Sequence, residues 1–442
     1  MKKINSVAKS KGAAKAAGKA KAGPLTFLIV GAGSRGFSYA GFALGRPSLA
    51  KVVAVAEPRR EFREKMASEH GISPDRVFKD WREAAKCGKI ADAVAICTQD
   101  AMHEECVMGL ARLGYHILLE KPMAPTEAAC RRIIAEIRRR GNVLAVCHVL
   151  RYTAYTRAVK AVVDSGRIGD IVSVEHLEPV GFWHQAHSFV RGNWRNERLS
   201  SCMLLQKSCH DVDWLSYIIG RRCLRVSSFG SLYYFRPENQ PKGAADRCMD
   251  CPLSKKCAYS AKEYYLGKLR QKEFGWPLDV IDETKRFTRE SVEKALREGP
   301  YGRCVFKCDN DVVDHQVANF EYEGGVTASF TMTAFNEGGG RKTRIFGTKG
   351  TIETDDSSTI RIFDFLTRKC ETIDTNATAA TVAGGHGGGD GGLMDAFCRA
   401  ILEKRPELIV SGPDATLESH LTTFAAEKAR RTGKVVEMAK FK

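Results

Sequence analysis

The strongest constraint on this 442-residue chain is a series of short, uninterrupted apolar runs set between stretches of helical periodicity. The runs 26–30, 52–56, 93–97, 116–119 and 143–147 lack the in-out alternation of a strand with one wet face. Continuous apolar runs of that length are what a sheet covered on both sides requires. Between the last two, the segment 126–140 sets Ala129, Ile133, Ile134 and Ile137 on one helical face. It leaves Arg131, Arg132, Arg138, Arg139 and Arg140 to water, with Thr126 as N-cap. Strand and helix in alternation predict a doubly wound α/β Rossmann domain over residues 24–147.

The first run leads directly into Gly31-Ala32-Gly33-Ser34-Arg35-Gly36. G-x-G-x-x-G alone is a weak signal. Here it follows a strand and opens a helix, and Glu57 stands at the tip of the next strand, 21 residues past Gly36, so it predicts a dinucleotide site. Gly31 permits the tight turn, Gly33 lets backbone N–H groups approach a pyrophosphate beside Ser34 and Arg35, and Gly36 allows close helix-to-strand packing. Glu57 accepts hydrogen bonds from the adenosine ribose and repels a 2′-phosphate, which favours NAD; Arg59 and Arg60 leave NADP open. Thr98, His103, Glu120 and Lys121 complete the expected cofactor-binding set.

Beyond residue 147 the pattern changes. The segments 171–178, 225–235, 313–322, 326–335, 341–347 and 359–365 alternate, and they are richer in Thr, Tyr and Phe. With helices expected at 211–219 and 393–403, residues 148–442 predict an α+β domain with a largely antiparallel sheet.

The run 116–119 ends in Glu120-Lys121-Pro122, at the carboxyl edge where open α/β sheets bind ligands. A lysine there can hydrogen-bond a substrate hydroxyl, although the tripeptide alone also fits a surface ion pair and turn. Together, the glycine motif, Glu-Lys-Pro and a later histidine at a helix start resemble the Gfo/Idh/MocA oxidoreductases, the glucose-fructose oxidoreductase and inositol dehydrogenase group. The resemblance covers residues 24–430. It implies a Rossmann domain, an open-faced sheet used for substrate and subunit contacts, and NAD(P)-dependent chemistry on a secondary alcohol of a sugar, cyclitol or glycoside. It also implies a homo-oligomer, dimer or tetramer, and a catalytic Lys121 beside the nicotinamide. Family members usually place an Asp four residues before the helix-start His; in this chain His210 fits the His, while Gln206 occupies the Asp position. Oxidising an alcohol needs a base for the hydroxyl proton, which makes His210 the expected base.

Two other clusters are candidates for the substrate pocket. The segment 182–195 mixes aromatic faces with polar groups, among them Trp183, His187, Arg191, Asn193 and Trp194, a combination suited to a sugar ring; a loop stabilising a dimer reads almost as well. The glycine-rich stretch 384–392 holds His386 and Asp390, and Lys207 lies beside Gln206. Two alternatives to a dehydrogenase stay open: an NAD-retaining glycosidase or lyase acting through transient oxidation, and a non-catalytic dinucleotide-binding regulator.

Fifteen cysteines without a secretory signal point to a reducing, cytoplasmic setting. Cys248, Cys251 and Cys257 form C-x2-C-x5-C in an insertion at about residues 240–310, with Cys304 as the expected fourth ligand and Cys308 as the alternative. Structural zinc is the leading expectation, with an iron–sulfur cluster, hinted at by Cys251-Pro252, and free thiols behind it. The formal charge of +17 hints at nucleic acid, but seven of the lysines sit in residues 1–23, among Ala and Gly and without aromatic residues. That composition reads as a disordered basic tail, which makes a nucleic-acid partner unlikely on composition. No apolar run is long enough to span a bilayer.

Overall fold

The computed structural model describes residues 23–282, 284–376 and 386–441; the lysine-rich segment 1–22 lies outside them. Two sheets organise the chain. The first comprises β1 (Leu25–Val30), β2 (Ala50–Ala56), β3 (Val77–Phe78), β4 (Ala93–Ile96), β5 (His116–Leu119) and β6 (Leu144–Val146), in the order β3-β2-β1-β4-β5-β6. Every pairing is parallel, which is the doubly wound dinucleotide-binding topology. The continuous apolar runs are explained by two separate cores. Leu28, Val30 and Ile117 face one, while Phe27, Ile29 and Ala95 face the other. Helices α1 (Ser34–Gly45) and α2 (Glu127–Arg140) flank the sheet, and Thr126 caps α2 by accepting from the Ala129 N–H.

The second sheet has nine strands: β7 (Ile171–Pro179), β8 (Cys223–Ser231), β9 (His315–Tyr322), β10 (Thr327–Thr333), β11 (Lys342–Gly347), β12 (Gly350–Thr354), β13 (Thr359–Asp364), β14 (Cys370–Asp374) and β15 (Val436–Glu437). They run in the order β14-β13-β12-β11-β7-β10-β9-β8-β15. Only β7 and β10 pair in parallel, so the sheet is mixed and largely antiparallel, as the alternating pattern predicts. Along β9, Gln316, Ala318, Phe320 and Tyr322 are buried while Val317, Asn319 and Glu321 point outward. One face of the sheet is therefore packed and the other open.

The packed face rests on α3 (Cys209–Ile219), which supplies Val212, Trp214, Leu215 and Ile218 to the core. Two helices tie the halves of the molecule together. The chain returns to the first sheet through α4 (Gly389–Leu402), whose Leu393, Met394 and Phe397 join the core formed with Phe27 and Ile29. Next, α5 (Pro413–Thr432) contributes Ala425, Ala426 and Ala429 to the second core, and its Phe424 also packs against the first. The sequence reading missed α5. Its buried positions are Thr, Ser, His, Glu and Ala, so no apolar stripe marks it. Between β8 and β9 the insertion builds a small core of its own, including Tyr265, Leu278, Val292 and Leu296. Among the described residues no helix is long and apolar enough to cross a membrane.

Candidate functional site

The turn after β1 is shaped by what each glycine meets. Gly31 has φ +89°, and a Cβ there would stand 2.7 Å from the Cys97 carbonyl oxygen; one on Gly36 would stand 2.1 Å from the Gly31 oxygen. Gly33 differs, because a Cβ there would meet nothing closer than Arg59 Nη2 at 3.7 Å. It leaves an open cradle at the start of α1, where no side chain caps the helix and the first turn holds no acid. The first-turn N–H groups beside Ser34 and Arg35 are thus available to an anion, the arrangement a pyrophosphate needs.

Glu57, 2% exposed, sits at the end of β2. Its Oε2 accepts from the Ala32 N–H (2.8 Å) and its Oε1 from the Arg59 backbone N–H (3.0 Å) and Nε (2.8 Å). Burial pushes the carboxyl up, but the hydrogen bonds from Arg59 and Ala32 outweigh it and hold the group below its ordinary range. The guanidinium of Arg59 also lies 3.9 Å over the Phe62 ring.

Arg35 reaches in from α1 to join both halves of the molecule. Its Nε donates to Glu120 Oε1 (2.7 Å), and its Nη1 and Nη2 form a fork with Asp390 (2.9 and 2.8 Å) in the first turn of α4. Tyr39 donates to the same Glu120 oxygen at 2.6 Å, and Glu120 Oε2 accepts the Lys121 N–H at 2.9 Å. Burial raises Glu120, yet Arg35, Lys121 and Tyr39 prevail and keep it ionised. Asp390, expected at the substrate, is placed against Arg35 and Ser38 of α1. His103 is buried behind that edge, its ring nitrogens on the carbonyl oxygens of Pro122 (2.9 Å) and Thr98 (3.1 Å), where it joins the ends of β4 and β5.

At the junction of the two halves, Lys121 Nζ donates to the Gln206 backbone oxygen at 2.8 Å. The Gln206 side-chain amide donates to Asp100 Oδ2 (2.5 Å) and Ser201 Oγ (2.8 Å). So a buried carboxylate, Asp100, stands beside the position from which the helix-start motif lacks one. His210 occupies the first turn of α3, edge-on to His148 at 5.7 Å, and His148 is in turn 5.4 Å from His420. Met123 N–H donates to His420 Nε2 at 2.9 Å. His148 Nδ1 lies 3.6 Å from Asp213, whose carboxylate is held by Arg151 through two bonds of 2.6 and 2.7 Å. Burial lowers His148 to about 3 and His420 to about 4, the Lys121 charge adding to both, so these rings are neutral near pH 7. His148, His420, Asp213 and Asp100 belong to no motif that sequence reasoning could use.

The second half supplies a charged wall and an aromatic wall. Lys207 Nζ pairs with buried Glu178 at 3.1 Å; Arg341 bonds the other Glu178 oxygen (2.9 Å) and also Asp211 (2.5 Å). Trp183 stacks near Tyr264 (5.7 Å) and His184, and Trp276 stands edge-on to His184 at 4.9 Å. Burial holds His184, a ring not singled out from the sequence, well below its ordinary value, with the Lys207, His187 and Lys121 charges adding to the effect. Its neighbours point elsewhere. The π-helical turn Gln185–Arg191 aims His187 at Tyr265 (2.6 Å) and Arg191 at the Tyr259 and Arg303 carbonyl oxygens, all in the insertion. Asn193 and Trp194 lie at the surface. His386 begins the turn His386–Gly388, and its side chain lies outside the described residues.

Cys248, Cys251, Cys257 and Cys304 do come together, lining one void. Among the described residues, however, no group of three or more His, Cys, Asp or Glu side chains is placed to hold a metal ion. The zinc expectation is therefore corrected. A tetrahedral ion needs Zn–S bonds of roughly 2.3 Å to each sulfur, whereas the partner of Cys248 Sγ is the Arg191 guanidinium, whose Nη2 lies 3.6 Å away.

Comparison with known proteins completes the picture. Residues 25–148 match the model of an oxidoreductase family with an NAD-binding Rossmann fold, and residues 160–438 match that family's C-terminal alpha/beta domain. An oxidoreductase of Bacillus subtilis, YteT, is 27% identical over 317 residues, covering 69% of this chain and 71% of that protein. The inositol 2-dehydrogenase of Azotobacter vinelandii is 33% identical over 150 residues, 33% of this chain and 43% of its own length; the match thus spans less than half of that relative. A crystal structure of an oxidoreductase from Agrobacterium radiobacter with NAD+, L-tartaric acid and magnesium shares the fold, with a TM-score of 0.69 at 14% identity over 95% of this chain and 99% of that one.

Proposed function

The chain belongs to the Gfo/Idh/MocA oxidoreductase family, and from that premise we propose that it transfers hydride between NAD and a secondary alcohol of a sugar or cyclitol. The observation that carries this reading is the meeting of Lys121, fixed by the Gln206 carbonyl at 2.8 Å, with the helix start that bears His210. Gly31, Gly33, Ser34, Arg35 and Gly36 hold the pyrophosphate, and Glu57 holds the adenosine ribose. When bound, the nicotinamide supplies the hydride acceptor. Lys121 donates a hydrogen bond to the substrate hydroxyl and stabilises the developing alkoxide, and His210 takes the hydroxyl proton. His184, Lys207 and the Trp183 face orient the ring, since an aromatic face suits C–H surface and the charged wall suits hydroxyls. The ion pair between Glu57 and Arg59 favours NAD over NADP. The open face of the second sheet, where Phe229 is 65% exposed and Val317 and Val172 stand out, is the surface for a homo-oligomer.

Lys121→Ala and His210→Ala test the assignment. Each is expected to lower turnover by ~100-fold or more while NAD binding is retained. Near-normal turnover in both variants refutes it.

A further inference from the structure

Asp100 is the exception among the buried carboxylates of the site. Glu178 is paired with Lys207 and Arg341, Asp211 with Arg341, Asp213 with Arg151 and Glu120 with Arg35. Asp100, 6% exposed in the turn after β4, has no ion-pair partner among the described residues. Its Oδ2 instead accepts from the Gln206 side-chain amide at 2.5 Å, and the same amide nitrogen donates to Ser201 Oγ at 2.8 Å. An amide satisfies a carboxylate as a hydrogen-bond acceptor but leaves its charge uncompensated, and a buried charge of that kind calls for a cation.

Two positive charges come to this place. Lys121 is one residue removed, its Nζ on the backbone oxygen of the same Gln206 at 2.8 Å. The second is the oxidised nicotinamide that the proposed function sets beside Lys121, so the inference rests on that reading. Lys121 and an oxidised ring repel each other, and a carboxylate in the same cluster offsets that repulsion. Hydride transfer cancels the charge of the ring, so the reduced cofactor feels neither the lysine nor the carboxylate as an ion. His148 and His420, lowered by burial to about 3 and about 4, add no charge of their own near pH 7.

We infer that Asp100 is the counter-charge of the oxidised cofactor, the residue that lets a positively charged nicotinamide bind beside Lys121. Gln206 holds the carboxylate in place without adding a second negative charge, which an acid at position 206 would do. Because the two redox states differ by one charge, Asp100 makes the chain bind NAD+ in preference to NADH and biases the bound couple toward its oxidised form.

Two isosteric changes separate charge from shape. Asp100→Asn keeps an oxygen for the Gln206 amide and removes the charge. Combining it with Gln206→Glu reverses the bond, so that an amide at position 100 donates to a carboxylate at position 206 and one negative charge returns to the pair. The full chain and both variants are titrated without substrate, NADH by its fluorescence and NAD+ by displacing it. Asp100→Asn should weaken NAD+ by ~10-fold or more while NADH changes by less than about threefold, and the double variant should recover most of the NAD+ affinity. Equal weakening of both cofactors marks a structural role and overturns the inference. So does unchanged NAD+ affinity in Asp100→Asn, or a double variant that folds and binds NAD+ no better than the single one. A wild-type chain that binds neither cofactor overturns the dehydrogenase reading as well, so the two failures are told apart.

Discussion

Glu57→Gln separates the two cofactors, and its effect can be worked from the contacts at the end of β2. Glutamine keeps an oxygen to accept the Ala32 N–H now bonded at 2.8 Å, so folding should change by less than ~1 kcal/mol. What it removes is the charge. A charged hydrogen bond to a ribose hydroxyl is worth ~1–2 kcal/mol more than a neutral one, so NAD affinity should fall by about tenfold. The 2′-phosphate of NADP gains instead. At an assumed separation of ~5 Å and an effective dielectric of ~20, the Glu57 charge repels each phosphate charge by about 3 kcal/mol, which solvent and salt at this rim reduce to about 2 kcal/mol. The substitution also frees Arg59 from its 2.8 Å ion pair, so that it can meet the phosphate. Together these terms move the NADP-to-NAD affinity ratio by about 300-fold. Fluorescence titration of wild type and variant with both cofactors measures it without any substrate. A wild type that prefers NADP, or a ratio that moves by less than about threefold, refutes the reasoning.

Gln206→Asp tests the arrangement around Asp100: it sets a second carboxylate where an amide now donates to Asp100 at 2.5 Å, and chemical denaturation should show a loss of ~1–3 kcal/mol at pH 7 that shrinks near pH 5 as the pair takes up a proton; unchanged stability contradicts it. The buried histidines make a pH prediction. His148 and His187 are lowered to about 3 and His420 to about 4, in each case first by burial, so between pH ~6.5 and ~4 the unfolded chain binds protons that the native state refuses. Stability should therefore fall as pH drops through that window, by up to ~1.4 kcal/mol per pH unit for each histidine. Melting curves from pH 7 to pH 4.5 check this, and a flat profile shows that these rings are charged in the native state.

How much of this was legible in the sequence follows from which forces are local. The parallel sheet was readable because strands covered on both faces must be apolar throughout, and Thr126 was readable as a cap because capping is a contact between near neighbours. The two-residue β3 was too short to leave a pattern, and α5 hid because its buried positions are alanines and polar residues. Its punctuation was nevertheless present, with Gly412-Pro413 at one end and Gly433, φ +65°, at the other. In the site, Lys121 and the glycine turn came from motifs with fixed spacing. Asp100 meets Gln206, and His148 meets His210 and His420, only in the folded chain. His187 and Arg191 share a segment with Trp183, but the π-helical turn changes the spacing and swings them into the insertion, so adjacency in sequence misplaced them.

The central claim is tested most directly by incubating the purified chain with NAD+ and a panel of polyols, cyclitols, aldoses and glycosides and following the near-ultraviolet absorption of reduced nicotinamide. The account predicts sustained formation of NADH with at least one free polyol or sugar, lost in both Lys121→Ala and His210→Ala. Glycoside cleavage without accumulating NADH, or NADH formation that survives both substitutions, contradicts it.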